Sequence, residues 1–234
     1  MTIDEAISAL ALDVTPERRA LLDHYLDLLL EWNTRLNLTA IRERDVAESR
    51  LIAESIAIAP LLPAETDRLL DVGSGGGIPG VPLAILMPET QVDLLDATGK
   101  KVAAMSAMCA ELGLDNARAI QGRAEVLAHR AEMRGLYTVV TARAVARLAT
   151  LVEYTLPFLR PGGIAIFPKG ESVQEEVREA QKAIQTLGGR LRDVALSPVN
   201  ETRLVVIEQR EATPAPYPRR TGIPARAPIG VPTR

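Results

Sequence analysis

Five of the eight residues from Gly73 to Gly80 are glycine (GSGGGIPG), and they follow directly on the apolar run LLDV. Glycine tolerates positive φ and carries no Cβ, so such a loop can turn sharply and let a ligand approach its backbone closely. The next residues, VPLAIL, read as the start of a helix. The loop therefore lies where free backbone N–H groups and the helix dipole can meet polar ligand groups. A strand feeding a glycine loop and then a helix is the opening unit of an open α/β sheet, and the rest of the chain repeats the pattern.

The further apolar runs are QVDLLD, ARAIQ, YTVVTA, IAIFP, RLRDVAL and RLVVIEQ. Helical stretches separate most of them, one being Lys100 to Leu112, closed by Gly113 at C′. Continuous apolar strands alternating with helices predict an α/β fold with a doubly wound, mostly parallel seven-stranded sheet. The last two runs are too close for a helix between them, so they should pair as an antiparallel hairpin. Residues 1–66 read as a helical extension. Pro16 follows Thr15 as a first-turn proline behind an N-cap, and Leu21, Leu22, Tyr25, Leu28, Leu29, Trp32 and Leu36 recur at helical spacing. A second amphipathic helix is expected over Val46 to Leu61. Residues 67–211 hold the strands, and 212–234 form a Pro- and Arg-rich tail too poor in large apolar side chains for a core of its own.

Composition removes several classes of function. Cys109 is the only cysteine, and the only histidines, His24 and His129, lie far apart, so neither disulfides nor a thiolate or histidine metal site is expected. No apolar run approaches the roughly 20 residues of a membrane span. The acidic start, MTIDEAISAL, is unlike a secretory signal, which points to a cytoplasmic protein. Net charge is −3, unevenly spread: residues 1–68 carry −6 and residues 209–234 carry +4. The tail is therefore expected to lie extended along a polyanion, with packing back over the sheet or free motion as the alternatives, and its removal to leave cofactor affinity unchanged.

Gly75, Gly77 and Gly80 fit G-x-G-x-x-G, and Asp96 stands 21 residues beyond Gly75, as in the dinucleotide fingerprint. Asp71, however, precedes the first glycine of an Asp-x-Gly-x-Gly-x-Gly series. A carboxylate there would repel pyrophosphate and attract the ammonium of a methionine moiety, which favours S-adenosylmethionine. Hydride-transfer equipment such as Tyr-x-x-x-Lys is absent from the sequence. A dinucleotide-linked oxidoreductase, a methyltransferase for a small molecule or a protein, and a non-catalytic nucleotide-binding regulator remain as alternatives.

DVGSGGGIPGVPLAI, LLDATGKKVAAM, GRAE, VVTARAVARL and the segment PGGIAIFPKG together resemble the bacterial small-subunit (16S) ribosomal RNA guanine-N7 methyltransferases, the glucose-inhibited division protein B family. WNTRLNLTAIRERDV and ATPAPYPRRTGIPARAPI extend the resemblance to both ends, and Pro168 before Lys169 departs from the usual Ala or Leu. The resemblance implies a class I S-adenosylmethionine-dependent methyltransferase acting on 16S ribosomal RNA or the small ribosomal subunit as a monomer, without metal or membrane. It implies that Asp71, Gly73, Gly75, Gly77 and Ile78 bind the cofactor, with Gly73 and Ile78 on its methionine and adenosine side. Asp96 and Ala97 would meet the ribose, Ala124 and Glu125 the adenine, and Arg143 the cofactor and the reacting centre. Arg143, Arg147 and Lys169 would grip RNA phosphates or the O6 side of the guanine. Asn37 and Thr39 read as a turn or an N-cap.

Overall fold

A computed structural model describes residues 1–231; the last three positions of the expected tail, 232–234, lie outside the described residues. Its centre is a seven-stranded sheet of β1 (Arg68–Val72), β2 (Gln91–Asp96), β3 (Ala117–Gln121), β4 (Tyr137–Thr141), β5 (Leu159–Lys169), β6 (Gly189–Leu196) and β7 (Arg203–Gln209). Their order is β3-β2-β1-β4-β5-β7-β6. The first five strands run parallel, and β7 is antiparallel to both β5 and β6. Both the doubly wound sheet and the terminal hairpin expected from the sequence are present.

The helices are α1 (Ile3–Ala9), α2 (Pro16–Leu36), α3 (Arg44–Ala47), α4 (Glu54–Ile56), α5 (Gly80–Leu86), α6 (Gly99–Glu111), α7 (Ala124–Leu127), α8 (Leu148–Thr155), α9 (Val173–Thr186) and α10 (Ile223–Arg226). Alternation along the strands divides the core in two. Leu69, Leu94, Val139 and Ile166 pack under α1, α2, α5 and α6. Leu70, Leu95, Val140 and Phe167 face α7, α8 and α9. Residues of the N-terminal helices, such as Ile3, Leu22 and Tyr25, therefore share one core with β1 and β2.

Thr15 caps α2 through its hydroxyl, which accepts the Arg18 N–H, and Pro16 takes the first turn. Asn37, expected as a turn or N-cap, is the left-handed C-cap of α2 at φ 47°. The single helix expected over Val46 to Leu61 is interrupted. A π turn (Glu48–Ala53) separates α3 from α4, and all residues from 51 to 58 are buried.

The tail departs most from its expectation. Instead of extending, it lies back over α7 and α8. Arg134 donates to the carbonyls of Thr213 (2.7 Å) and Tyr217 (2.8 Å), the Thr150 hydroxyl donates to Pro224 O, and Ile229 and Val231 pack against the second core. Too few apolar residues for a core of its own still suffice to complete one supplied by the sheet. Among the described residues no helix is long and apolar enough to cross a membrane, and no group of His, Cys, Asp and Glu is arranged to hold a metal ion.

Candidate active site

The strand order reverses between β1 and β4, and an open α/β sheet leaves a crevice outside the carboxyl ends at such a point. The glycine loop enters this crevice from β1. Gly73, Gly75 and Gly77 all take positive φ, which explains their residue type. Contacts from several elements hold the loop. Gly73 N–H donates to Leu95 O (2.7 Å), Gly75 N–H to Asp96 Oδ2 (3.0 Å) and Gly80 N–H to Asp71 Oδ2 (3.0 Å), while the buried Tyr25 hydroxyl donates to Gly76 O (2.9 Å).

Two clefts flank the loop and share Gly73. The larger, of about 360 Å³, is lined on the loop side by Gly73–Gly76 and Ile78, and opposite by Thr39, Ile41, Lys101 and Arg143. The smaller, of about 190 Å³, is lined by Asp96, Ala97, Ala124, Glu125 and Val145 among others. Sequence reasoning missed Lys101 and Val145. It also missed Asn33, which is buried and holds the Thr39–Ile41 wall: its amide donates to Ile41 O (3.1 Å) and its carbonyl accepts Thr39 N–H (2.9 Å).

Asp96 sits at the end of β2 with one loop N–H on each oxygen, from Gly75 and from Thr98 (2.8 Å). Each oxygen keeps a further lone pair. Glu125 Oε1 accepts the Gly222 N–H at 3.1 Å, so the tail reaches the rim of the smaller cleft.

Arg143 follows β4 into the larger cleft. Its Nη2 pairs with Glu54 Oε2 at 2.8 Å, with side chains 18% and 6% exposed. Nη1 is buried and has no hydrogen-bond partner among the described residues. Burial pulls the guanidinium pKa down and pushes that of Glu54 up. Asn200 donates to the other Glu54 oxygen at 2.7 Å. The clue to Glu54 in the sequence is a lone acid inside the apolar run LIAESIAIAP.

Four expected site residues line neither cleft. Gly77, at φ 99°, turns the loop. Asp71 is fully buried and lines neither cleft, so its carboxylate supports the loop through Gly80 rather than facing a ligand's ammonium. Arg147 is exposed and pairs with Glu179 at 2.7 Å. Lys169 Nζ donates to Ala146 O (2.8 Å) and pairs with Glu176 Oε2 (2.9 Å). Neither cation lines a cleft, because a carboxylate of α9 holds each of them.

Burial pushes the Asp71 carboxyl up to about 7, against the Gly80 N–H and the Arg143 charge, which favour ionisation. Between the ordinary carboxylate range and this value the folded chain binds more protons at Asp71 than the unfolded one, so this group makes stability fall as pH rises. Asp71→Asn, whose carbonyl can still accept the Gly80 N–H, is expected to flatten the stability profile from about pH 4 to about 7. Urea titrations of both proteins across that range check it; parallel profiles would place ionised Asp71 in the native state.

Residues 18–205 match the family model described as GidB, rRNA small subunit methyltransferase G. Ribosomal RNA small subunit methyltransferase G of Lactococcus lactis subsp. lactis (strain IL1403) is 39% identical over 98% of this chain and 100% of its own length. The protein of the same name from Roseiflexus sp. (strain RS-1) is 44% identical over 86% of this chain and 87% of its own. A solved structure of ribosomal protein L11 methylase from Lactobacillus delbrueckii subsp. bulgaricus shares the fold, with a TM-score of 0.52 at 15% identity over 68% of this chain and 78% of that one. Because the match runs from the second helix to the last strand and the relatives align nearly end to end, this chain belongs to the rRNA small subunit methyltransferase G family.

Proposed function

We propose that this chain transfers a methyl group from S-adenosylmethionine to N7 of a guanine in 16S ribosomal RNA, in the cytoplasm and as a monomer. The observation that carries the reading is the pair of clefts meeting at Gly73, one ending at Asp96 and the other at Arg143. A ligand with a nucleoside at one end and an amino acid at the other fits that division. Asp96, with its remaining lone pairs, would hold the ribose hydroxyls, Ala97, Ala124 and Glu125 would border the adenine, and Gly73, Gly75 and Ile78 the methionine end. Gly77 and Asp71 shape the loop from behind. When bound, the cofactor supplies an electrophilic methyl on a sulfonium.

Guanine N7 offers an in-plane lone pair and no proton, so the reaction needs no general base. Catalysis then rests on alignment, which can supply roughly 7–11 kcal/mol when the reacting atoms are held at near-attack distance. Arg143 lines the larger cleft, and its guanidinium is of the type that suits guanine O6 or a phosphate. The Thr39–Ile41 wall, fixed by Asn33, would help to close that cleft around a splayed-out base.

Transfer of radiolabelled methyl to isolated small-subunit RNA and to assembled subunits, with the product mapped by nuclease digestion, tests the assignment. Labelled 7-methylguanine is the expected result. Absence of label in both substrates, with the cofactor demonstrably bound, would overturn it. Asp96→Ala is expected to weaken S-adenosylmethionine binding by about 1–3 kcal/mol, the range for losing charge-assisted hydrogen bonds. Calorimetry reads this directly, and wild-type affinity in the variant would remove Asp96 from the cofactor site.

A further inference from the structure

The six residues from Ala142 to Arg147 join β4 to α8, and four contacts secure them and the following Leu148 from outside. Arg143 pairs with Glu54 (2.8 Å), and Ala146 O accepts from Lys169 Nζ (2.8 Å). Arg147 pairs with Glu179 (2.7 Å). Glu176 Oε2 ties the far end together, taking both Lys169 Nζ (2.9 Å) and the Leu148 N–H (2.8 Å). All three cations that sequence reasoning directed at RNA therefore hold one loop. Ala144 stands at φ 55°, a conformation that alanine keeps only where its surroundings impose it.

At the tip of this loop, Val145 rests on Gly73. A Cβ at position 73 would come within 2.5 Å of Val145 Cγ2, so the glycine is needed there for the valine as much as for the turn. Gly73 is the residue shared by the two clefts, and the loop divides between them: Arg143 and Ala144 line the larger, Val145 the smaller. Any ligand that fills both clefts has to pass across Gly73, which Val145 covers. Val145 is 37% exposed, so it can lift away without opening the core.

We propose that the β4–α8 loop is a clip over the cofactor cleft, with Val145 as its closing tip and Lys169 as the positioning residue that holds it down through Ala146. The proposal rests on the S-adenosylmethionine reading above and adds to it a control on cofactor exchange. Ligand enters with the tip raised. The four external contacts then restore the loop, and the valine packs on the ligand at the junction of its two halves. Product release requires the tip to lift again.

The test is the dissociation rate of S-adenosylhomocysteine from the full chain, measured by stopped-flow displacement, beside the thermal midpoint of each variant. Val145→Ala removes two methyl groups from the packed tip and is expected to speed release about tenfold with the midpoint little changed. Lys169→Met should speed release as well. Lys169→Arg should bring the rate back toward wild type, since a guanidinium can still serve both Ala146 O and Glu176. A merely structural lysine would lower the midpoint without affecting release. Failure of the wild type to bind either S-adenosylmethionine or S-adenosylhomocysteine would overturn the cofactor reading itself. Cofactor bound normally but released from Val145→Ala at the wild-type rate would overturn the clip alone. Faster release from Val145→Ala with no change in Lys169→Met would remove the positioning role of the lysine.

Discussion

Replacing Arg219 with alanine is expected to destabilise the fold by about 3 kcal/mol, the lower end of what is lost when one partner of a buried ion pair is removed. Glu153, on α8, is fully buried and depends on Arg219 for nearly all of its compensation. Its Oε1 accepts the Arg219 backbone N–H (2.7 Å) and Nε (2.9 Å), and its Oε2 accepts Nη2 (2.7 Å). Alanine keeps only the backbone donor, so a carboxylate would be left in the second core with one hydrogen bond. For a chain of this length the loss corresponds to a fall of about 6–12 °C in the thermal midpoint. Pairing Arg219→Met with Glu153→Gln removes both charges and should recover most of it. A single variant as stable as the parent would mean that Glu153 does not depend on Arg219 for its compensation.

The same contact changes what the tail can do. Arg219 is committed to Glu153, which leaves Arg220 and Arg226 as the arginines that the described part of the tail can offer to RNA. Ending the chain after Glu211 would also remove the Gly222 N–H from Glu125 at the rim of the smaller cleft. Truncation therefore reaches the smaller cleft, which an independent basic arm would not do.

The sheet was legible because its inner strands are apolar runs bounded by turn residues, and because Thr15–Pro16 and Gly113 mark helix ends in local chemistry. The glycine loop and Asp96 were legible for the same reason: their spacing within one βαβ unit is fixed by the unit. Illegible were the pairings between distant segments, Glu54 with Arg143, Lys169 with Ala146 and Glu153 with Arg219. Nothing in the sequence around Lys169 states that a helix carrying Glu176 folds back beside it, so a lysine at a strand end reads as available for RNA. The one local trace of these pairs is an acid stranded among apolar residues, in LIAESIAIAP for Glu54 and LATLVEYTLP for Glu153. Such an acid needs a partner when the segment is buried.

Arg143 separates stability from chemistry most sharply. Arg143→Ala is expected to lower methyl transfer about 100-fold, the scale of loss when a reacting group is displaced by about 1 Å. It would also destabilise the fold, since Glu54, 6% exposed, would keep only Asn200 and the distant Arg50 as partners. Arg143→Met combined with Glu54→Gln removes the stranded charge and should restore the midpoint while transfer stays low. Arg143→Lys keeps the charge but not the fork: one ammonium cannot match the paired Nη2 and the spare Nη1 donor in a fixed plane, so it should hold Glu54 and still transfer poorly. Initial rates with RNA, read beside thermal midpoints for the three variants, decide between the roles. Wild-type transfer in the double variant would make Arg143 solely the counter-ion of Glu54, and alignment of the base would then fall to the Thr39–Ile41 wall and Lys101.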